Sequence, residues 1–207
     1  VNRDYGDFVQ SQIVADMQAL FAPHWERRQL QNASYAEARY PKVPAVLLEL
    51  LSHQNYEDMR YGLDPRFRFT VSRAVYKGML QFLCSQYGMD YVIQPLPVDH
   101  MALKMAGENE VELTWQPVED PLEPTAKAEK YIVYTRIGEG DFDNGTLVEG
   151  TTYRAAISSG TIHSYKVVAV NKGGLSFPSE ILSVGQPFQS KGTVLVVNGF
   201  DRISAPA

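Results

Sequence analysis

The spacing of apolar residues changes once along the chain, near Gln94, and that change limits what each half can fold into. Before it, Tyr5, Phe8, Val9, Ile13, Met17, Leu20 and Phe21 recur at three- and four-residue intervals, and so do Phe67, Val71, Ala74, Val75, Gly78, Met79, Phe82 and Leu83. Each set draws one stripe along a helix, which predicts helices over 4–21 and 66–83. After Pro95 and Pro97 the helical period is gone. The runs "EVELTW", "KYIVYTRI", "GTLVEG", "TYRAAI" and "SYKVVAVN" alternate with a period of two, with "DNG" and "NKGG" as turns between runs. Short alternating runs at this spacing predict an antiparallel β-sandwich over 94–187.

Between the two helices, residues 22–42 read as a surface connection, and "AVLLEL" at 45–50 follows as an apolar run without alternation. A run of that kind is how a strand covered on both faces of a parallel sheet looks. Asp64-Pro65 supplies an N-cap with proline at the first helical position for the second helix. Residues 1–90 therefore read helix, strand, helix, an α/β fragment of a mostly parallel sheet domain. One strand alone leaves its backbone groups unpaired. The rest of that sheet is expected upstream of Val1 or in a partner chain, with self-association through the incomplete sheet as one outcome. Beyond the 91–187 segment, residues 188–207 read as a linker and, in "GTVLVVNGF", the first strand of a truncated third domain.

Composition removes several functions. The net charge is −5 and the lysines and arginines are scattered, which leaves no electrostatic footprint for nucleic acid or an anionic membrane. No apolar run reaches the ~20 residues of a membrane span. Cys84 is the single cysteine, so no disulfide or thiolate cluster can form within one chain, and its apolar surroundings mark it as a core residue. His24, His53, His100 and His163 show neither His-x-x-Glu nor His-x-x-x-His spacing, so no metal site is expected in this chain. "HWE" at 24–26 lacks the Pro-Cys-x-x-Cys partner of a deaminase site. Glu49, at the end of the apolar run, is either a strand-end acid paired with an arginine such as Arg27, Arg28 or Arg73, or a group placed for chemistry.

Residues 94–187 resemble a fibronectin type III domain. Trp115 in "VELTWQP" stands where that family keeps its core tryptophan, "EKYIVYTR" matches the following strand, and "YKVVAVNKGGLSFPSE" matches the late strand and its glycine-containing turn. His163 occupies the place of the family's corner tyrosine, so its imidazole would have to replace a hydroxyl that bonds back to upstream backbone. Trp115, Tyr131, Tyr134 and Tyr165 fit either the sandwich interior or a sugar-binding face. The resemblance implies a spacer or interaction module, since the fold alone brings no chemistry.

Residues 1–88 are similar to the C-terminal part of the zinc-dependent N-acetylmuramoyl-L-alanine amidases that cleave peptidoglycan. Pro44, Val46, Leu47, Glu49 and Asn55 fall in register with that family's strand motif, "YED" follows, and "DPRFRFTVSRAVYKGMLQFL" matches its closing helix. The resemblance implies that Glu49 is the catalytic glutamate, polarising a zinc-bound water and passing its proton to the leaving amine. It also implies that His53 and Asn55 line the substrate site and that the zinc ligands lie upstream of Val1, with zinc in the parent protein and none held here. Leu51, Ser52, His53 and Gln54 depart from the family's Gly-Phe-x-Ser. The order of pieces is similar to large bacterial proteins that carry a xanthan lyase label. Together these imply a bacterial protein that is periplasmic, at the outer surface or secreted, with peptidoglycan or another glycan as partner. The other reading is a non-catalytic structural or glycan-binding scaffold.

Overall fold

The computed structural model describes residues 1–197 of the 207. They form two compact units: Val1–Gln94 with Glu119–Lys127 and Lys172–Gly174, and Pro95–Val118 with Ala128–Asn171 and the chain from Leu175 onward.

The first unit is built on two long helices, α1 (Asn2–Leu20) and α4 (Pro65–Tyr87), with short α2 (Ala36–Arg39) and α3 (Tyr56–Gly62) between them. Asp64 caps α4 by accepting from the Arg66 N–H, Pro65 sits at the first turn, and Gly88 ends the helix in the left-handed conformation at φ 63°. Val9, Ile13 and Met17 of α1 pack on Phe67, Val71 and Ala74 of α4. The two helices approach closely at Gly78, where a Cβ would stand 2.6 Å from the Cα of Val9. Only a residue without a side chain fits that contact. Phe21, Trp25, Tyr61 and Phe67 close one end with ring centroids 5.2–6.4 Å apart. The predicted stripe of α4 is narrower than its sequence suggests: Met79 and Leu83 are exposed, while Lys77 is buried between Ala74 and Gly78. Cys84 is buried, as its surroundings led us to expect.

The strand expected at 45–50 is absent. Residues 44–50 have no regular secondary structure, and Leu47 and Leu48 remain 44% and 43% exposed. The physical reason is the ladder: no other segment among the described residues pairs with this one, and a strand has no stability without a neighbour to take its backbone N–H and C=O groups. Among the described residues the fragment is therefore helices with irregular connections, without the strand of an α/β unit. Residues 192–197 likewise carry no strand, and the remainder of the run expected there, 198–200, lies outside the described residues.

The second unit is an antiparallel sandwich. One sheet has the order β1 (Asp99–Gly107), β2 (Glu110–Gln116), β5 (Thr152–Ala156). The other has the order β4 (Thr146–Val148), β3 (Lys130–Ile137), β6 (Ile162–Asn171), β7 (Gly174–Leu175), with β8 (Leu182–Gly185) also paired to β6. Inward-facing Val111, Leu113 and Trp115 of β2 meet Tyr131 and Val133 of β3 and Tyr165, Val167 and Ala169 of β6, closed by Val98 and Ile157. Three of the four aromatics singled out above are thus core, and Tyr134 is on the outer face. Burial pushes the Tyr165 hydroxyl up to about 12. His163 is buried, and its Nε2 accepts from the Ser158 N–H at 3.0 Å, so the imidazole does tie the strand to backbone five residues upstream. Between β7 and β8, Pro178 has no N–H to give. There Ser176 and Ser179 turn their hydroxyls to accept from the amides of Ala169 and Val167, each at 2.9 Å.

Candidate functional site

The residues expected to carry chemistry lie on the segment that enters α3. Glu49 is exposed and makes no hydrogen bond or ion pair among the described residues. Of the three arginines that could have neutralised it, Arg28 makes no ion pair with it and the other two are engaged elsewhere. Arg27 bonds Asp7, Gln10 and Ser11, and Arg73 forms an ion pair with Asp120 at 2.7 Å and donates to the Gln94 carbonyl. Asn55 is the N-cap of α3, its Oδ1 accepting from the N–H groups of Glu57 and Asp58 at 2.9 and 3.4 Å. In return Asp58 accepts from the Ser52 N–H at 2.8 Å, which fixes the turn carrying exposed His53. Glu49, His53 and Asn55 are close in sequence, yet no hydrogen bond joins one to another.

Among the described residues no three His, Cys, Asp or Glu side chains gather as a donor set. The described residues do not by themselves supply the three protein ligands that a catalytic zinc ion needs. Nor is any helix among the described residues long and apolar enough to cross a membrane.

The buried polar groups of the first unit lie elsewhere, and the sequence reading missed them. Lys77 and Asp16 form an ion pair at 2.8 Å with side chains 1% and 5% exposed. Lys77 also donates to the Leu122 carbonyl, and Asp16 accepts from Gln12. Burial raises the Asp16 carboxyl above its ordinary range against the opposing pull of Lys77 and Gln12. Nearby in the same unit, Tyr91 donates to Glu123 at 2.7 Å, and burial together with that carboxylate raises its hydroxyl. One signal was available: Asp16 and Lys77 each interrupt the apolar stripe of a helix, with opposite signs. A buried pair joining two packed helices holds them in register, so we read it as structural.

Comparison with known proteins yields only partial likeness. No family model matches the chain, and no curated protein matches it. Solved structures that are similar include the fourth fibronectin type III domain of a human protein, with 21% identity, 48% of this chain and 85% of that one covered, and a TM-score of 0.41. The third fibronectin type III domain of the human KIAA0343 protein shows 15% identity over 52% of this chain and 94% of that one, with a TM-score of 0.39. The twitchin kinase region from C. elegans shows 21% identity over 45% of this chain, which spans 17% of that structure, with a TM-score of 0.40. The two-sheet antiparallel order described above is that of an immunoglobulin-like sandwich of the fibronectin type III kind.

Proposed function

We propose that the sandwich is a spacer and interaction module of a bacterial protein that works on cell-wall or other glycan outside the cytoplasm. The observation that carries this reading is the use of Trp115, Tyr131 and Tyr165 in a closed two-sheet core, which gives a self-sufficient domain and leaves those rings unable to bind a ligand. The test is sedimentation of the full chain with insoluble peptidoglycan and with a neutral polysaccharide. Retention on glycan with no release of soluble fragments agrees with the reading; failure to sediment with either removes the glycan partner.

A second reading is favoured by Glu49. An unpaired carboxylate directly follows two half-exposed leucines on a segment without regular structure, which is how a strand that takes its sheet neighbours from other polypeptide would present itself. In this reading residues 1–90 belong to an amidase domain, and Glu49 accepts the proton of the attacking water as the bond between N-acetylmuramic acid and L-alanine breaks. Zinc and its ligands would come from outside this chain. Glu49→Gln in the intact protein is expected to abolish muropeptide release while leaving thermal stability within about 0.5 kcal/mol, as for an exposed residue without partners. Unchanged turnover removes Glu49 from the mechanism.

A further inference from the structure

On the outer face of the second sheet, one row of side chains crosses three strands. Arg136 of β3 is in register with Ser164 of β6, and Ser164 with Ser183 of β8. The Arg136 Nη2 donates to the Ser164 hydroxyl at 3.3 Å, and that hydroxyl meets the Ser183 hydroxyl at 2.9 Å. Ser164 is buried although it points away from the core, because Arg136 lies over it.

The charge here is uncompensated. Arg136 makes no ion pair among the described residues, and its Nε is buried with no acceptor. Lys166, also without a carboxylate partner among the described residues, shares the Phe142 ring with it. The Lys166 ammonium is 4.3 Å and the Arg136 guanidinium 5.1 Å from the ring centroid. A guanidinium without a carboxylate partner in a chain of net charge −5 favours an anion beside it.

Arg136, Ser164 and Ser183 line a groove of about 530 Å³ with Thr161, Gly138, Gly160 and Glu139, whose carboxylate makes no ion pair with Arg136. At Gly160 the ring of Phe188 lies so close that a Cβ would come within 2.5 Å of it, yet Phe188 itself is 85% exposed. The groove thus combines a planar guanidinium, three hydroxyls and the Glu139 carboxylate, and an exposed aromatic ring lies next to it beside Gly160. Guanidinium forks suit carboxylates, hydroxyls exchange hydrogen bonds with sugar hydroxyls, and an exposed ring offers a platform for the apolar face of a pyranose.

The geometry points to this groove as a binding site for the carboxylate-bearing unit of an acidic saccharide, either a uronic acid or the lactyl ether of a muramic acid. The inference rests on the glycan partner proposed above and assigns it a place and a charge. The carboxylate sits against Arg136, and the ring of the sugar stacks on Phe188.

The test is a nuclear magnetic resonance titration of the 15N-labelled full chain. Methyl glucuronide and N-acetylmuramic acid are the two acidic sources, with methyl glucoside, N-acetylglucosamine, acetate and an acidic peptide as comparators. Either acid is expected to move the amides of Gly160, Ser164 and Ser183 saturably, about tenfold more tightly than its neutral counterpart, the loss expected when a charge-assisted fork has nothing to hold. Arg136→Met should abolish the shifts, and Phe188→Ala, at an exposed site that cannot unfold the sandwich, should weaken them severalfold. No saturable shift with either acid overturns the proposal. So does equal binding by the neutral sugars, by acetate alone or by the peptide, or wild-type binding by both variants. Sedimentation with peptidoglycan that persists in Arg136→Met and Phe188→Ala would overturn this site while leaving the glycan reading in place.

Discussion

Gly78→Ala is the sharpest test of how the first unit is packed. In an exposed helix the change would stabilise by about 1 kcal/mol, since alanine loses less backbone freedom than glycine. Here the new methyl would lie 2.6 Å from the Cα of Val9 and 3.0 Å from the Phe8 carbonyl oxygen. Ordinary carbon contacts need about 3.5–4.0 Å, so α1 must retreat by roughly 1 Å. The obstacle is backbone, which no rotamer change can clear. A retreat of that size forfeits about a quarter to a half of each dispersion contact along the Val9, Ile13, Phe67, Val71 and Ala74 seam. Overpacking of this kind costs roughly 1–3 kcal/mol, and a rigid obstacle places it at the upper end. After the helix-propensity gain, the net loss is about 2 kcal/mol. Urea unfolding followed by far-ultraviolet circular dichroism, in which the helices dominate the signal, measures it. A midpoint equal to or above wild type would refute the close approach and the helix pairing built on it.

Lys77→Met should destabilise the same unit by about 3–5 kcal/mol because it leaves the Asp16 carboxylate buried without its partner, whereas adding Asp16→Leu should recover most of that loss. Additive single-mutant losses in urea unfolding would show that the two charges do not interact. The Asp64 carboxyl is held below its ordinary value of 3.8, first by the backbone N–H of Arg66. A lowered folded value means its stabilisation is present above 3.8 and fades as the pH falls through the folded value. The advantage of wild type over Asp64→Ala should therefore be constant near neutrality and shrink in acid; a difference that stays flat to about pH 2 would contradict the cap.

The elements legible in the sequence are those whose signal is local. Asp64, Pro65 and the Phe67–Val71–Ala74–Gly78 spacing mark α4 within one stretch of chain, and the inward residues of β2, β3 and β6 alternate within each strand. The run at 45–50 was read as a strand from residue type, but strand identity depends on a neighbour, which residue type does not supply. Helix α3 was missed because seven residues are too few to establish a period, although Asn55 followed by Glu57 and Asp58 is a start signal. Glu49, His53 and Asn55 could be singled out from a motif, but their lack of shared hydrogen bonds could not. Asp16 and Lys77 are 61 residues apart and Arg136 and Ser164 are 28 apart, so only helix packing in one case and strand register in the other reveals them.

The break that Ser176, Pro178 and Ser179 impose between β7 and β8 matters for crowding. An intact edge of this length, with Leu175, Phe177 and Ile181 exposed along it, would invite a neighbouring molecule to add its own strand and propagate into aggregates. With two serine hydroxyls committed to the amides of β6 and a proline that cannot donate, the margin is divided into stubs of two and four residues, too short to template such growth. That border therefore offers a neighbouring molecule only short stubs to pair with.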